Sequence, residues 1–186
     1  MLGLAIIDMQ KWMFRYPERA AQIDLLNQNI NAISEAFAAG FPIFDVRTIH
    51  KADRSTWSRL TRKYNYPCLI EGTEDIRPVD GYRLPERAIQ ITKTANSAFL
   101  GTDFETQLTA AGVTELALAG VFIDGCVGLT AADAAQRGLE VVFIDDAIGH
   151  TRANRRSAIL NWLTDDYELK TWTTEQTVAY ARGSLS

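Results

Sequence analysis

Three residues whose side chains can do covalent chemistry each follow an apolar run of the sequence. Asp8 follows LGLAII, Lys93 ends AIQITK, and Cys126 comes shortly after ELALAGV (115–121). A thiol can act as a nucleophile, a carboxylate can act as a general base, and an ammonium group stabilises negative charge beside it. An acid, a base and a thiol therefore predict nucleophilic catalysis if the fold brings them to one place.

The apolar runs before these residues predict strands that alternate with helices. The predicted strands cover 2–7, 41–47, 88–93, 115–121, 139–145 and 167–172. Helical spacing of apolar residues predicts helices at 23–40, 101–112, 127–138, 152–163 and 174–182, with a further helix within 53–64. Thr102, with Glu105 three residues later, has the pattern of a capping box at the start of the second of these helices.

Strands that are apolar on both faces and alternate with helices predict a parallel sheet covered on both sides. The expected fold is α/β: a three-layer α/β/α sandwich with a doubly wound, mainly parallel six-stranded sheet. In such sheets ligands bind beyond the carboxyl ends of the strands, near the switch in strand order. Asp8, Lys93 and Cys126 each lie at or just after such an end, so we expect all three on one edge.

Cys126 also opens a predicted helix, within the turn GVFIDGC. Free N–H groups and the helix dipole favour an anion at that position. Together with Lys93 they predict that the pKa of the Cys126 thiol is lowered from about 8.5 toward neutrality. Small residues such as Gly125 let backbone N–H groups of the turn approach a substrate oxygen and form an oxyanion hole.

The overall composition is that of an ordinary globular chain. Its 186 residues, 47% hydrophobic and 23% charged, predict one domain over 1–186. The formal net charge of −4 gives no reason to expect a nucleic-acid partner, and two cysteines are too few for a disulfide scaffold. No apolar run approaches the roughly 20 residues that cross a bilayer, and the N-terminus lacks the basic start of a signal peptide. We therefore expect a cytoplasmic protein with neither a membrane nor a nucleic-acid partner.

Five short motifs, taken together, resemble a known family. They are D-x-Q at Asp8–Gln10, K-x-x-x-S-A-F at Lys93–Phe99, G-T-D-x-E-x-x-L at Gly101–Leu108, G-V-x-x-x-x-C-V at Gly120–Val127 and T-A-x-D-A-x-x-x-G at Thr130–Gly138. In their order and spacing, from LAIIDMQ to DDAIG, the chain resembles the isochorismatase-like cysteine hydrolases. The resemblance implies a catalytic triad of Asp8, Lys93 and Cys126 that hydrolyses a C–N bond of a small amide through an acyl-enzyme. It also implies a cis peptide bond at Val121–Phe122.

Departures from the family patterns narrow the expected activity. Nicotinamidases of the family carry a metal site that begins with Asp-x-His after the second strand, where this chain has Thr48 and His50. One histidine without partners does not make a metal site, so we expect no metal and no cofactor. Isochorismatases, which cleave a vinyl ether, have glycine where this chain has Cys126, so the thiol favours amide hydrolysis. Isochorismatase-type or nicotinamidase activity, and a non-catalytic member that binds a small molecule or a protein, are the alternatives.

Four residues are candidates for substrate binding: Gln10, Trp57, Phe122 and Asp124. Gln10 follows the first strand, Trp57 lies in a segment rich in aromatic residues and arginine, and Phe122 and Asp124 border the turn before Cys126. The backbone N–H groups of Phe122 and Cys126 are the candidates for the oxyanion hole. Gln10 is equally well explained as a loop-stabilising amide, and the segment of Trp57 as a solvated, partly structural excursion.

His150, which follows the fifth predicted strand on the same edge, offers a rival mechanism. A Cys126–His150 dyad ranks below the triad because Asp8 and Lys93 have the support of the family pattern. A redox role for Cys126 is disfavoured because neither cysteine lies in a C-x-x-C pair. The resemblance further implies a homo-oligomer whose pockets lie near subunit contacts and whose ligand is a small-molecule amide.

Overall fold

A single parallel sheet forms the centre of the protein in the computed structural model, which describes residues 1–83 and 85–183. Its strands are β1 (Leu2–Ile7), β2 (Ile43–Thr48), β3 (Ile89–Lys93), β4 (Glu115–Gly120), β5 (Glu140–Ile148) and β6 (Lys170–Trp172). The order across the sheet is β3-β2-β1-β4-β5-β6, and every neighbouring pair is parallel. The chain starts in the middle of the sheet and winds outward in both directions, which confirms the predicted doubly wound topology.

Helices cover both faces of this sheet and complete the predicted three layers. They are α1 (Pro17–Ala20), α2 (Ile23–Phe37), α3 (Arg59–Lys63), α4 (Phe104–Ala110), α5 (Cys126–Gln136), α6 (Ala153–Tyr167) and α7 (Thr174–Ala181). Apolar residues of α4, α5 and α6 pack on one face, and those of α2 and α7 pack on the other. No helix in the described part of the chain is long and apolar enough to cross a membrane.

The continuous apolar sequence of β1 follows from this packing. Ala5 and Ile7 belong to the core on the α5 side, while Leu4 and Ile6 belong to the core on the α2 side. Successive side chains of a strand point to opposite faces, so a strand buried on both sides must be apolar at every position. The same pattern in β4 places these two strands, between which the winding reverses, at the centre of the molecule.

The predicted capping box at the start of α4 is wrong. The helix begins at Phe104, and the Thr102 hydroxyl donates a hydrogen bond to the carbonyl of Ala98. The same hydroxyl accepts from the Phe104 N–H at 3.2 Å. Thr102 is thus held by the preceding turn rather than paired reciprocally with Glu105, which lies on the exposed side of the helix and accepts a bond from Arg137.

The segment between β2 and β3 contains little regular structure and folds back against the sheet. The helix expected within 53–64 is limited to α3, and a short 3₁₀ helix covers Glu74–Ile76. Backbone bridging of His50 with Ile70 ties the segment to the end of β2. Trp57 is buried within it and donates from Nε1 to the Lys51 carbonyl at 2.9 Å. The segment therefore forms one wall of the space beyond the carboxyl ends of the strands.

Candidate active site

A cavity of about 1020 Å³ lies at the carboxyl ends of the strands. Its wall includes Thr48 at the end of β2, Phe122 in the turn after β4, and Cys126 at the start of α5. Trp57 and His50 contribute from the segment after β2. This is the place at which a doubly wound sheet is expected to bind a ligand, beside the switch between β1 and β4.

Asp8, Lys93 and Cys126 meet at this edge of the sheet. Lys93 Nζ lies 2.9 Å from Asp8 Oδ2 and 3.2 Å from Cys126 Sγ. Asp8 and Lys93 are 0% and 1% exposed, whereas Cys126 is partly exposed and lines the cavity. The three residues that the sequence singled out are therefore in contact, with only the thiol open to a ligand.

Thr48, at the end of β2, links two of these residues. Its N–H and its hydroxyl donate to Asp8 Oδ1 at 2.8 and 2.9 Å. Its hydroxyl oxygen accepts from Lys93 Nζ at 2.7 Å. Because β2 lies between β1 and β3, the Lys93 side chain crosses the end of β2 to reach Asp8, and Thr48 is the residue it passes. In the sequence Thr48 stands out only as a departure from a metal motif, and its place at the end of β2 was the signal for this role.

The backbone of Asp8 adopts an unusual conformation. Its φ is 54°, in the left-handed region that non-glycine residues seldom adopt. The Oδ2 atom has no hydrogen-bond donor in proper geometry among the described residues, although Lys93 Nζ lies 2.9 Å away. One carboxylate oxygen is thus held by Thr48, and the other lies against the Lys93 ammonium group.

The charges of the site differ from the prediction. Burial and the Asp8 carboxylate raise the pKa of the Cys126 thiol to about 12, and Lys93 acts in the opposite direction. The prediction of a thiol pKa near neutrality is therefore wrong, because Asp8 offsets the ammonium charge and burial disfavours a thiolate. Burial also opposes the charge on Lys93, but Asp8 and Cys126 outweigh it and raise the pKa of that ammonium group. The resting site holds an ion pair beside a neutral thiol.

The turn between β4 and α5 presents backbone donors next to the thiol. The Val121–Phe122 peptide bond is cis, as the family resemblance implies. The Phe122 carbonyl accepts from the N–H groups of Gly125 and Val127 at 3.0 and 3.1 Å. Among the described residues, the N–H groups of Phe122 and Cys126 donate to no protein acceptor. The two donors predicted for an oxyanion hole are thus unpaired.

The four predicted substrate-binding residues divide into two pairs. Trp57 and Phe122, each 6% exposed, line the cavity. Gln10 does not: its Oε1 accepts from the Thr48 N–H, and its Nε2 donates to the Thr48 carbonyl, both at 3.0 Å. Asp124 does not either, because its carboxylate accepts from the N–H and the hydroxyl of Thr151. In this structure Gln10 and Asp124 instead satisfy groups of neighbouring segments, and contact of either with a substrate stays a prediction.

Cys126 and His150, the rival catalytic dyad, make no hydrogen bond with each other among the described residues. The hydrogen-bond partners of Cys126 Sγ among the described residues are Lys93 Nζ at 3.2 Å and Asn96 Oδ1 at 3.9 Å, and the Asp8 carboxylate also acts on the thiol. His150 is tied through its backbone to the side chain of Gln22 and is not part of the cavity wall. This arrangement favours the triad over a Cys126–His150 pair.

His50 lies in the cavity wall and is 5% exposed. Burial lowers the pKa of its imidazole, so the side chain is neutral at pH 7. Within 1–83 and 85–183, no three residues among His, Cys, Asp and Glu are grouped closely enough to hold a metal ion.

Several residues of the cavity wall were not singled out by the sequence. They are Arg15, Arg19, Asn96, Leu129 and Trp162. The arginines lie near the first strand in the sequence, and Leu129 and Trp162 lie on helices whose apolar spacing is weak. Their common position emerges only in the fold, because they come from the segment before α2, the loop after β3, and helices α5 and α6.

The match to a family model decides the family. A model described as the isochorismatase domain matches residues 3–176. The chain belongs to the isochorismatase family. This isochorismatase-family chain is 37% identical over 74 residues to a probable inactive nicotinamidase of Arabidopsis thaliana. That match covers 37% of this chain and 38% of the plant protein.

Two solved structures resemble this isochorismatase-family chain over nearly its full length. A cysteine hydrolase from Pseudomonas syringae pv. phaseolicola 1448A superposes with a TM-score of 0.88 at 20% identity, covering 98% of this chain and 93% of that one. An N-carbamoylsarcosine amidase from Thermoplasma acidophilum superposes with a TM-score of 0.80 at 21% identity, covering 94% and 96%. At these identities the likeness establishes the fold, and the chemistry must be argued from the site.

Proposed function

We propose that this protein hydrolyses a C–N bond of a small amide through a thioester on Cys126, with Asp8 and Lys93 as its catalytic partners. One observation carries the proposal: Lys93 Nζ contacts both Asp8 Oδ2 at 2.9 Å and Cys126 Sγ at 3.2 Å. Only the sulfur of this set lines the cavity. A nucleophile open to the ligand, with buried proton-transfer groups behind it, is the arrangement that covalent catalysis needs.

The raised pKa of the thiol determines how the first step begins. Because the pKa of Cys126 is about 12, the sulfur must lose its proton as it attacks. The Asp8 carboxylate, which acts on the thiol, takes that proton while a C–S bond forms at the amide carbonyl carbon. The carbonyl oxygen becomes an oxyanion, which the N–H groups of Phe122 and Cys126 stabilise.

Collapse of this intermediate completes acylation. The C–N bond breaks, and the proton held by Asp8 passes to the leaving nitrogen, which departs as ammonia or an amine. Water then attacks the thioester carbonyl and gives a proton to Asp8, and the C–S bond breaks. That proton returns to the Cys126 sulfur as the carboxylic acid leaves. Lys93 stays charged throughout and balances the negative charge that moves between the carboxylate and the sulfur.

A non-catalytic role is the alternative with an observation behind it. The Arabidopsis thaliana relative is named as a probable inactive nicotinamidase. A protein that only binds a small molecule would keep the cavity but release no ammonia. Isochorismatase-type cleavage of a vinyl ether would release no ammonia either, and it would not need the thiol.

Ammonia release from a panel of small amides separates these functions. We expect release by the wild-type protein and by Cys68→Ala, and none by Cys126→Ala. Cys68 is the matched control because it is a buried free thiol on the same cavity wall without Asp8 or Lys93 beside it. Equal release by Cys126→Ala and the wild type would contradict the proposal.

A further inference from the structure

We propose that the substrate carries a carboxylate, and that Arg15 and Arg19 bind it while Cys126 attacks the amide at the other end. The proposal rests on the amidase function above and names its substrate class. Both residues line the cavity that contains the thiol; Arg15 is exposed and Arg19 is half-buried. Neither residue belongs to a motif of the sequence described above.

Arg19 is held next to the turn that carries the nucleophile. Its Cζ lies 5.0 Å from the ring centre of Phe122 and 4.8 Å from that of Tyr16. Phe122 supplies one of the candidate oxyanion donors, so the guanidinium borders the place where the amide would react. The Arg19 Nε atom is buried and has no acceptor among the described residues. A buried donor without a partner is costly, and a ligand oxygen would remove that cost.

Arg15 is fixed beside it by aromatic rings. Its Cζ lies 3.4 Å from the ring centre of Trp12 and 4.5 Å from that of Tyr16. It donates from one amino group to the Trp12 carbonyl at 3.0 Å and from the other toward the Tyr16 hydroxyl at 3.3 Å. These contacts hold the guanidinium plane in place, and its remaining N–H groups are available to a ligand.

No carboxylate offsets this pair of positive charges at close range. In the described part of the chain, neither Arg15 nor Arg19 has an acidic oxygen within 4.0 Å. Glu18 and Asp124 act on Arg19 only from farther away. Burial and the neighbouring charge of Arg15 lower the pKa of Arg19. Two like charges that face one cavity without counterions form a site for an anion.

Acidic groups elsewhere on the cavity wall do not offset the pair. Asp133 lines the same cavity, but its carboxylate accepts from Arg137 at 3.1 Å and from the Ser97 hydroxyl. A carboxylate is a compact, planar anion that can accept two parallel N–H hydrogen bonds from one guanidinium group, so it is the anion that fits this pair of arginines best. The substrate class is therefore a carboxylate that also bears an amide, such as the monoamide of a dicarboxylic acid.

Matched pairs of amides test this inference. Malonamate, succinamate and glutaramate each carry a carboxylate, and propionamide, butyramide and valeramide are neutral partners of the same carbon count. We expect the wild-type protein to prefer the anionic member of at least one pair by about 10- to 100-fold in kcat/KM, the value of one or two charged hydrogen bonds. Arg19→Met and Arg15→Met should each lower that preference by about tenfold or more, and Arg19→Lys should restore part of it. Arg62→Met, an exposed arginine on α3 that lies outside the cavity wall, is the control and should leave the preference unchanged.

Calorimetric titration with succinate and glutarate gives a readout that does not depend on turnover. We expect Arg15→Met and Arg19→Met to weaken this binding and Arg62→Met to leave it unchanged. That result supports the anion site even if no amide is hydrolysed. In that case only the proposed amidase function fails. Hydrolysis of both members of every pair with equal kcat/KM would overturn the inference while the amidase function stands. Dicarboxylate binding that is indifferent to both arginine substitutions would also overturn it.

Discussion

Removal of the buried cation at Lys93 should destabilise the fold severely, and in a way that depends on Asp8. Lys93 and Asp8 are 1% and 0% exposed, and their charged atoms lie 2.9 Å apart. Lys93→Met keeps most of the side-chain volume but leaves a carboxylate buried without its counterion. Removing one partner of a buried ion pair lowers the free energy of unfolding by about 3–5 kcal/mol.

This loss is large enough to measure without ambiguity. With a slope of about 2 kcal/mol per molar urea, a loss of about 4 kcal/mol lowers the midpoint of unfolding by about 2 M. The pKa of Lys93 is raised above its ordinary value of 10.5, so its contribution to stability is fully present below that pH. The contribution is lost only as the pH rises through the higher pKa of the folded state, so measurement at pH 7 captures all of it.

A double-mutant cycle with Asp8→Asn provides the decisive comparison. We expect each single variant to be destabilised, and the double variant to lose much less than the sum of the two, because it buries no unpaired charge. Lys51→Met is the control, since Lys51 is exposed and belongs to no ion pair among the described residues. Additive losses in the double variant, or a Lys93→Met midpoint equal to that of Lys51→Met, would refute this description of the site.

Three further predictions concern the thiol, Thr48 and metals. In a Cys68→Ala background, the alkylation rate of Cys126 by iodoacetamide should rise steadily with pH from 7 to 10, since the pKa of the thiol is about 12; a plateau below pH 8 would contradict the raised pKa. Thr48→Val should lower kcat by about tenfold or more and destabilise the fold by about 1–3 kcal/mol, because Asp8 and Lys93 both lose a hydrogen bond. Thr48→Ser keeps the hydroxyl and should retain most of the activity and most of the stability. Steady-state kinetics and urea unfolding measure the two effects. Ammonia release should survive exhaustive chelation with EDTA, because no three candidate ligands are grouped in the described residues; activity lost on chelation and restored by zinc would contradict this.

The sheet and its reactive edge were predictable because their signals are local. A strand buried on both faces is apolar at every position, so β1 and β4 can be recognised in the sequence as continuous apolar runs. The residues that follow these runs must lie at the same edge of a parallel sheet. Asp8 and Cys126 follow such strands, whereas Lys93 ends β3, an edge strand with alternating burial, and was located by the strand-helix alternation of the chain. The pattern of strands did not give the raised pKa of the thiol, because that depends on the burial of the sulfur and on the nearby Asp8 carboxylate.

The direction of polar side chains was not predictable from position alone. Gln10 and Asp124 both flank the site in the sequence, yet each turns to a backbone group far away in the chain, at Thr48 and Thr151. Contacts across such separations depend on the tertiary fold. Thr102 shows the same limit on a smaller scale: its hydroxyl donates to the Ala98 carbonyl and accepts from the Phe104 N–H, and it does not pair reciprocally with Glu105.

Direct observation of the acyl-enzyme tests the central claim. After rapid acid quench of the protein with a hydrolysed amide, intact mass spectrometry should show one added acyl group, and peptide mapping should place it on Cys126. The adduct should be released by hydroxylamine and be absent from Cys126→Ala, while Cys68→Ala should form it normally. An adduct on another residue, or full turnover by Cys126→Ala, would contradict the thioester mechanism.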